Sequence, residues 1–313
     1  MNQKLVSILI PCFNEEQNIK KITDEIAVVF KDTDLLYEII FIDDGSNDGS
    51  ITIINEIVLQ NNNIKFIEFS RNFGKDFALK AGVDFSNADA IVMIDADMQH
   101  PPKLILQMID KWNDGFEVVY AFRSINNPDA NFINRFFSKT FYKLVNLLSD
   151  INLENGIADY RLIDRKVINS LKKIDENELF LRGMVKWIGF KQVGIPYKPE
   201  QRLNGETTYS TKSLFKLAIH GLTSFSTKPL YLSIVLGLSL SFIAFILYVF
   251  YVFYSVYFDL AISGWASVIF TIVLFGGLNL IVLGIIGVYV GKLFMQSKNR
   301  PNYIVRNTNI QKL

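Results

Sequence analysis

The sequence predicts an α/β domain with a mostly parallel sheet, followed by two membrane-spanning helices. Short β-rich runs alternate with longer helix-like segments over residues 1–209. Two long apolar stretches without charge lie further along the chain. Clusters of polar residues directly follow the β-rich runs. These three observations indicate a folded N-terminal domain that binds a polar ligand and is attached to a membrane.

Five runs rich in β-branched and aromatic residues predict the strands. They are Leu5–Ile10, Tyr37–Ile42, Ile64–Phe69, Ala90–Ile94 and Glu117–Phe122. Helix-like segments occupy the first three intervals, at Glu15–Phe30, Ser50–Gln60 and Lys75–Phe85. Repeated βαβ units imply parallel strands joined by right-handed crossovers. Ligands of such sheets bind beyond the carboxyl ends of the strands.

Composition excludes several classes of protein. The 32 Lys and Arg residues almost balance the 31 Asp and Glu residues, so no overall charge attracts nucleic acid, and we expect no nucleic-acid partner. Cys12 is the single cysteine, which excludes an intramolecular disulfide and a cysteine-based metal cluster. We expect Cys12 to be a packed thiol at the end of a strand rather than a nucleophile.

The two charge-free stretches, separated by Asp259, are each longer than the ~20 residues that a helix needs to cross a bilayer. We therefore predict transmembrane helices over residues 229–258 and 260–291. The alternative is a pair of buried helices in a soluble core, but soluble helices of this length usually carry a polar stripe. Glycines within both spans fit close helix packing and permit self-association.

Lysines and arginines flank the two spans, and the short loop between the spans has none. This charge pattern predicts a multi-pass protein of the inner (plasma) membrane, with the 1–209 domain and the 292–313 tail in the cytoplasm. Residues 210–228 carry apolar side chains at spacings of three and four, which favours an amphipathic helix in the membrane interface. The alternative is an amphipathic helix packed on the soluble domain.

Polar side chains follow each predicted strand. The set comprises Asn14, Glu15, Asp43, Asp44, Asp95, Asp97, Gln99 and Arg123. Any one cluster alone could be an ordinary turn or helix cap. Because the carboxyl ends of parallel strands meet at one edge of a sheet, the whole set predicts a single ligand-binding crevice.

The segment MIDADMQHPP places Asp95, Asp97 and Gln99 two residues apart, so an extended chain would turn all three to one side. Two unneutralised carboxylates held that close would repel each other, and one would take up a proton. Mg²⁺ or Mn²⁺ would remove the conflict, because these ions prefer carboxylate and amide oxygens and bridge to a substrate diphosphate. The alternative is a pair of strand-end caps.

Several segments, taken in order and followed by two spans, resemble the polyisoprenyl-phosphate glycosyltransferases of glycosyltransferase family 2. They read VSILIPCFNEEQNI, IIFIDDGSNDGS, RNFGKDFALKAG, IDADMQHPP, GIADYRLIDRKV and LRGMVKWIGF. The subgroup resembled is the bactoprenol glucosyltransferases, with dolichol-phosphate mannose synthases as more distant relatives. The resemblance implies a GT-A fold of Rossmann-like type, a nucleotide-sugar donor, a divalent metal and a polyprenyl phosphate acceptor at the lipid bilayer. It also implies a homo-oligomer.

The resemblance also implies roles for individual residues. The nucleotide pocket would comprise Pro11, Phe13, Glu15, Ile42, Asp44, Asp95 and Ala96. The metal would be held by Asp97 and Gln99, with Asp95 helping directly or through water. Asp159 matches the candidate catalytic aspartate of the family.

Basic residues complete the set implied by the resemblance. Arg123 and Arg135 match basic positions near the phosphates, and Arg202 matches an arginine of a loop that closes over the donor. Thr208 stands in that loop where a lysine is expected. Arginine forks bind phosphate in a bidentate manner, so we also consider Arg161 and Arg182 as acceptor-binding residues. The alternative for each arginine is a surface or structural ion pair.

The expected function is metal-dependent, inverting transfer of a hexose, with UDP-glucose as first choice, to undecaprenyl phosphate at the cytoplasmic face. GDP-mannose, UDP-N-acetylglucosamine, UDP-galactose or a UDP-aminoarabinose type of donor are alternatives. A processive polysaccharide synthase should carry a Q-x-x-R-W motif, which is absent. A non-catalytic membrane scaffold would not need the three metal-binding side chains. A soluble nucleotide oxidoreductase is disfavoured because no G-x-G-x-x-G follows the first strand.

Overall fold

The computed structural model describes residues 3–123, 157–177, 179–198, 227–258 and 264–311. These residues divide into two compact units. The larger unit holds the described residues up to 198 together with those from 300 onward, and the smaller unit holds two long helices.

The larger unit alternates strands and helices. In chain order it contains β1 (Leu5–Cys12), α1 (Ile19–Phe30), β2 (Leu36–Asp43), α2 (Ser50–Gln60), β3 (Ile64–Phe69), α3 (Lys75–Phe85), β4 (Ala90–Met93), α4 (Leu104–Asn113), β5 (Val118–Arg123), β6 (Ile157–Asp164), α5 (Arg165–Lys172), α6 (Leu181–Trp187) and β7 (Gln192–Tyr197). The smaller unit contains α7 (Lys228–Phe258) and α8 (Trp265–Ser297), and β8 (Val305–Thr308) belongs again to the larger unit.

The eight described strands form one sheet in the order β7-β5-β6-β4-β1-β2-β3-β8. β1 lies parallel to β2 and β4, β2 is parallel to β3, and β5 is parallel to β7. β6 lies antiparallel between β4 and β5, and β8 is antiparallel to β3. The carboxyl ends of β1, β2, β4 and β5 therefore meet at one edge, and β6 begins at that same edge.

Helices cover both faces of the sheet. Val6, Ile8 and Ile10 of β1 are fully buried in a core shared with α1 and α4. On the opposite face α3 packs against β1 and β2. A Cβ atom at Gly82 would lie 2.7 Å from a methyl carbon of Leu9, so a larger residue at this close approach would force the side chains of β1 to shift. The approach fixes α3, whose first residue reaches the strand-end edge.

The five predicted strands are present with ends that differ by at most two residues, and α2 and α3 have the predicted bounds. Helix α1 differs, since it begins at Ile19 rather than at Glu15. The backbone N–H groups of Asn14 and Glu15 donate to Ser46 and Ser50 of the β2–α2 loop, and Asn14 has a positive φ of 58°. These bonds hold the segment before Ile19 in a turn.

β8 changes the interpretation of the segment predicted as a tail over residues 292–313. Helix α8 continues to Ser297, and residues 305–308 then pair with the edge of the sheet. Arg306 forms an ion pair with Glu68 at 3.0 Å, and the Tyr303 ring stacks on Phe69 with centroids 5.2 Å apart. The pairing covers backbone groups that β3 would otherwise leave open at the edge.

The smaller unit consists of two helices that are long and apolar enough to cross a membrane. Their most apolar windows, Ser233–Tyr251 and Thr271–Ser297, are 6% and 0% buried. Large side chains such as Leu238 and Phe250 are about two-thirds exposed or more, at 67% and 71%. Apolar faces this open are suited to lipid contact rather than to a protein core. α8 begins later and ends later than the predicted span over residues 260–291.

Candidate functional site

Polar side chains gather at the edge where β1, β2, β4 and β5 end. Strand register brings the chain segments together, because Cys12 lies beside Asp43 and Met93 lies beside Arg161. Since β6 runs antiparallel to β4, the residues that follow Met93 face those that precede Arg161. Asp95 and Asp159, each two residues from this pair, are therefore placed opposite each other.

The residues predicted to contact a nucleotide lie along the β1 and β2 part of the edge and just beyond β4. Pro11 and Ile42 are paired in adjacent strands. Ile42 is fully buried and Ala96 is 2% exposed, so neither residue presents open surface to a ligand in this structure. Phe13 is 43% exposed and offers an open aromatic face. Glu15 accepts a hydrogen bond from the side-chain amide of Asn18 at 2.6 Å.

Asp44 builds the loop that leads into α3. Its carboxylate accepts a hydrogen bond from the Phe73 backbone N–H at 2.7 Å and another from the Gly74 N–H at 2.9 Å. Gly74 has a φ of +105°, a region that side-chain-bearing residues rarely adopt. Asp44 is 4% exposed, and burial raises its pKa while the two N–H groups oppose the rise. Asp44 thereby fixes the backbone just before Lys75.

Lys75, the first residue of α3, bridges the two facing aspartates. Its Nζ lies 2.5 Å from Asp95 Oδ1 and 3.0 Å from Asp159 Oδ2. Burial would lower the pKa of Lys75, but the two carboxylates outweigh burial and raise it above the usual value. The sequence places the carboxylates of Asp95 and Asp97 close together. The ammonium group of Lys75 compensates the negative charge of Asp95.

Asp159 is surrounded by positive charge. Arg182 donates from Nε to Asp159 Oδ1 at 2.9 Å, and its Nη2 lies 2.8 Å from the same oxygen. The guanidinium of Arg161 is buried, at 4% exposure, and burial lowers its pKa to about 10. Burial alone would raise the pKa of Asp159, but the surrounding cations hold that pKa well below its usual range. Asp159 is therefore a fixed negative charge at neutral pH.

Asp76 ties α3 to α6. Its carboxylate accepts a hydrogen bond from the backbone N–H of Leu181 at 3.2 Å, which places Arg182 beside Asp159. Burial, reinforced by the negative charge of Asp159, raises the pKa of Asp76 to about 6. Asp159 is thus enclosed by two adjacent residues of α3, Lys75 and Asp76, and two of α6, Leu181 and Arg182.

His100 lies behind Asp95. It is 4% exposed, stacks on Tyr160 with ring centroids 5.1 Å apart, and has its Nδ1 3.8 Å from Asp95 Oδ2. Burial lowers its pKa, so the imidazole is neutral at neutral pH. Tyr160 donates its hydroxyl to the Pro101 carbonyl at 2.9 Å, which holds this aromatic support in place.

Asp95, Asp97 and Gln99 share one side of their segment. These three are partly exposed, whereas Ala96 and Met98 between them, and His100 after them, are buried. The predicted alternation holds although the segment turns after β4, with Met98 at a φ of 61°. The Gln99 backbone N–H donates to Asp97 Oδ1 at 3.1 Å.

Among the described residues, no group of three or more His, Cys, Asp or Glu side chains is placed to hold a metal ion. Asp97 and Gln99 nevertheless fit a smaller requirement. A carboxylate and an amide oxygen suit Mg²⁺ or Mn²⁺, which commonly takes one or two protein ligands and completes its shell with substrate phosphates and water. Asp95 fits less well, because one of its oxygens is paired with Lys75.

Of the other predicted phosphate-binding arginines, the structure describes only Arg123. Arg123 is exposed at the end of β5, where strand register sets it beside Tyr197. Arg135, Arg202 and Thr208 lie outside the described residues, as do residues 210–226 of the predicted interfacial helix.

An α/β sheet that collects acidic and basic side chains at its strand ends has the architecture of an enzyme that binds a charged ligand at that edge. Residues 7–172 match the family described as Glycosyl transferase family 2. The chain belongs to glycosyltransferase family 2, so it is a glycosyltransferase with a GT-A type of fold. The fold class and the enzyme class predicted from the sequence are confirmed.

Relatives extend the similarity over nearly the whole chain. An uncharacterized glycosyltransferase, YkcC of Bacillus subtilis, is 43% identical over 96% of this chain and 93% of its own length. A prophage bactoprenol glucosyl transferase homolog of Escherichia coli is 35% identical over 96% of this chain and 98% of its own length. Mannosyl-3-phosphoglycerate synthase from Rubrobacter xylanophilus has a TM-score of 0.47 at 16% identity, covering 69% of this chain and 71% of that one.

Sequence reasoning did not find Lys75, Asp76 or His100 as site residues. Lys75 and Asp76 stand in the segment RNFGKD, which follows β3 and carries the resemblance, and that position is the one signal available. What places Lys75 at the site is the packing of α3 and the antiparallel insertion of β6 beside β4, and neither leaves a local pattern in the sequence.

Proposed function

We propose that this enzyme transfers a hexose, glucose in the first place, from UDP-glucose to undecaprenyl phosphate, with inversion at the anomeric carbon. The observation that carries the proposal is the similarity over 96% of the chain to proteins named bactoprenol glucosyl transferase. Similarity of this extent includes the two apolar helices, which suit an enzyme whose acceptor has its tail in a bilayer.

The charges at the site support direct displacement. A phosphate monoester has a second pKa near 6, so its oxygen is already nucleophilic at neutral pH and needs no proton acceptor. Asp159 is ionised and paired with cations, which favours orientation and charge stabilisation over proton removal. The new bond joins the acceptor oxygen to the anomeric carbon, and the bond from that carbon to the nucleoside diphosphate breaks.

The arginines divide the task of binding phosphate. Arg182 is partly exposed, at 31% of its side chain, and lies beside Asp159, so it can reach a phosphate from the crevice. Arg123 is exposed at the end of β5 and serves the same purpose from the other side. Arg161 is buried, so it acts on the acceptor through the position of Asp159. Arg135 is proposed to bind near the phosphates, and Arg202 is proposed to act from the loop that closes over the donor.

A divalent cation bound by Asp97 and Gln99 would stabilise the negative charge that gathers on the departing diphosphate. On the same edge, Phe13 provides an exposed aromatic face for a nucleotide base, with Pro11, Glu15, Ile42, Asp44 and Ala96 around it. The enzyme would work at the cytoplasmic face of the plasma membrane, as a homo-oligomer held by its apolar helices.

Sugar transfer to undecaprenyl phosphate in detergent or nanodiscs tests the proposal. With UDP-[¹⁴C]glucose, the wild type should form a labelled lipid, and removal of metal with a chelator should reduce the rate at least about 100-fold. Asp97→Ala should cause a similar loss and should weaken Mn²⁺ binding measured by electron paramagnetic resonance. Asp114→Ala, which removes an exposed aspartate paired with Lys111, is the matched control. Undiminished transfer in metal-free buffer would contradict the metal requirement.

Separate reactions with different nucleotide sugars test the choice of donor. The lipid product is identified by mass spectrometry after incubation with UDP-glucose, UDP-N-acetylglucosamine, UDP-galactose, UDP-aminoarabinose or GDP-mannose, each alone at equal concentration, because glucosyl, galactosyl and mannosyl lipids have the same mass. A dominant hexosyl lipid that forms from UDP-glucose alone would support the proposal. A product from GDP-mannose alone would replace glucose with mannose and leave the reaction type intact, whereas a long polymer would favour a processive synthase.

A further inference from the structure

Lys75 joins two chain segments that lie far apart in sequence. Asp95 follows β4 and belongs to the part of the edge that carries the proposed metal ligands, whereas Asp159 belongs to β6. The single ammonium group contacts both carboxylates, at 2.5 Å and 3.0 Å. A lysine ammonium has three donors, and two of them are directed to these oxygens.

The bridge is accessible from the crevice. The side chains of Lys75, Asp95 and Asp159 are 40%, 25% and 23% exposed, so a ligand that enters the site meets this bridge directly. Lys111 is similarly exposed, at 45%, but its ion pair is local: it contacts Asp114, three residues further along the chain, at the end of α4. Lys75 differs from such a local surface pair because it links separate strands.

The backbone of Lys75 is also held in place. Asp44 fixes the two residues before it through backbone hydrogen bonds, and Gly82 lets α3 pack tightly against the sheet. The flexible side chain of Lys75 thus extends from a rigid helix N-terminus and lies between Asp95 and Asp159. Such support is typical of groups that set the geometry of a reaction.

We infer that Lys75 is a positioning residue for sugar transfer, whose ammonium group couples the carboxylate of Asp95 on the donor side to that of Asp159 on the acceptor side. The inference rests on the proposed function for the assignment of the two sides. Lys75 holds Asp159 in the direction that the acceptor requires, and it compensates the charge of Asp95 while the donor binds. No bond to Lys75 forms or breaks.

The test compares Lys75→Met and Lys75→Arg with the wild type in the full-length enzyme in nanodiscs. Lys75→Met should lower kcat about 100-fold while the KM for the donor changes by less than about threefold, because the lost interaction orients groups for reaction. Lys75→Arg keeps the positive charge and should recover about tenfold of the loss. Lys111→Met, which removes an exposed lysine of similar exposure, should leave kcat and KM unchanged.

A double-mutant cycle gives the readout that a merely structural role would not produce. If Lys75 acts through Asp159, the variant carrying both Lys75→Met and Asp159→Asn should be slower than Asp159→Asn alone by less than about threefold, because the two substitutions remove one shared interaction. Multiplicative losses would overturn the inference, as would a wild-type kcat in Lys75→Met. Should Lys75→Met fail to fold, Lys75→Gln replaces it in the same cycle.

Failure of the proposed function would be distinguishable. Nucleoside diphosphate release from the donor in water is measured for every variant alongside transfer to undecaprenyl phosphate. If the wild type releases nucleoside diphosphate but modifies no lipid phosphate, the proposed acceptor is wrong, and the same kcat cycle on donor hydrolysis decides the role of Lys75. If the wild type modifies the lipid and Lys75→Met does so equally well, the inference alone is wrong.

Discussion

Asp44 and Asp159 lie on the same edge of the sheet, but they bind different kinds of partner. Asp44 accepts hydrogen bonds from two backbone N–H groups, whereas Asp159 is paired with the side chains of Lys75 and Arg182. Backbone partners keep a loop in one conformation. Side-chain cations beside a partly exposed carboxylate can also contact an incoming phosphate, whereas backbone N–H groups bonded to the buried Asp44 cannot.

The largest effect is expected from the side-chain-paired aspartate. Asp159→Asn removes a negative charge that balances neighbouring cations, and kcat for sugar transfer should fall about 1,000-fold. Thermal stability should fall as well, because the carboxylate balances cations that include the buried guanidinium of Arg161, but the loss of kcat is the larger effect. The measurement is initial-rate transfer from UDP-glucose, with Asp114→Asn as control. A loss below about tenfold would contradict the central place that the geometry gives to Asp159.

The backbone-bonded aspartate should give the opposite balance. Asp44→Ala leaves two backbone N–H groups without their carboxylate, which should cost about 3 kcal/mol in the free energy of unfolding. kcat should fall about tenfold, because the loop that carries Lys75 loosens. Thermal denaturation followed by tryptophan fluorescence measures the loss of stability.

Asp89 provides the matched control for Asp44. Its carboxylate also accepts a backbone hydrogen bond, from Leu5 at 2.9 Å, but it lies at the other end of the strands. Asp89→Ala should lower stability without changing kcat. If Asp44→Ala raised the KM for the donor and left stability unchanged, the proposed contact of Asp44 with the nucleotide would outweigh its backbone hydrogen bonds, and the contrast between the two regions would disappear.

Local patterns predicted most of the β1 to β5 region, because strands and crossover helices are encoded in apolar periodicity. They also indicated that Asp95, Asp97 and Gln99 share one side. β6 was not predicted, because its antiparallel insertion beside β4 depends on strand order rather than on its own residues. The position of Lys75 depends on that same insertion, so the prediction did not include the ammonium group that the structure places beside Asp95.

The smallest effect comes from Asp76, which has one partner of each kind nearby: the backbone N–H of Leu181 and the charges around Asp159. Its pKa is raised from 3.8 in the unfolded chain to about 6 in the folded protein. The folded state therefore holds this proton more tightly, so its contribution to stability is fully present below pH 3.8 and is lost as pH rises through about 6. At pH 8 the ionised carboxylate opposes folding.

Asp76→Asn removes this opposition and keeps an oxygen that can accept the hydrogen bond from Leu181. The variant should melt about 2 °C above the wild type at pH 8, and the difference should be smaller at pH 5, where the folded protein keeps Asp76 largely protonated; it should vanish only below pH 3.8. Paired thermal scans at both pH values measure the difference and cancel the titration of all other groups. A variant that melts below the wild type at pH 8 would show that Asp76 is stabilised by its cationic neighbours more than it is penalised by burial, which would extend the ion-paired character of the Asp159 region to α3 itself.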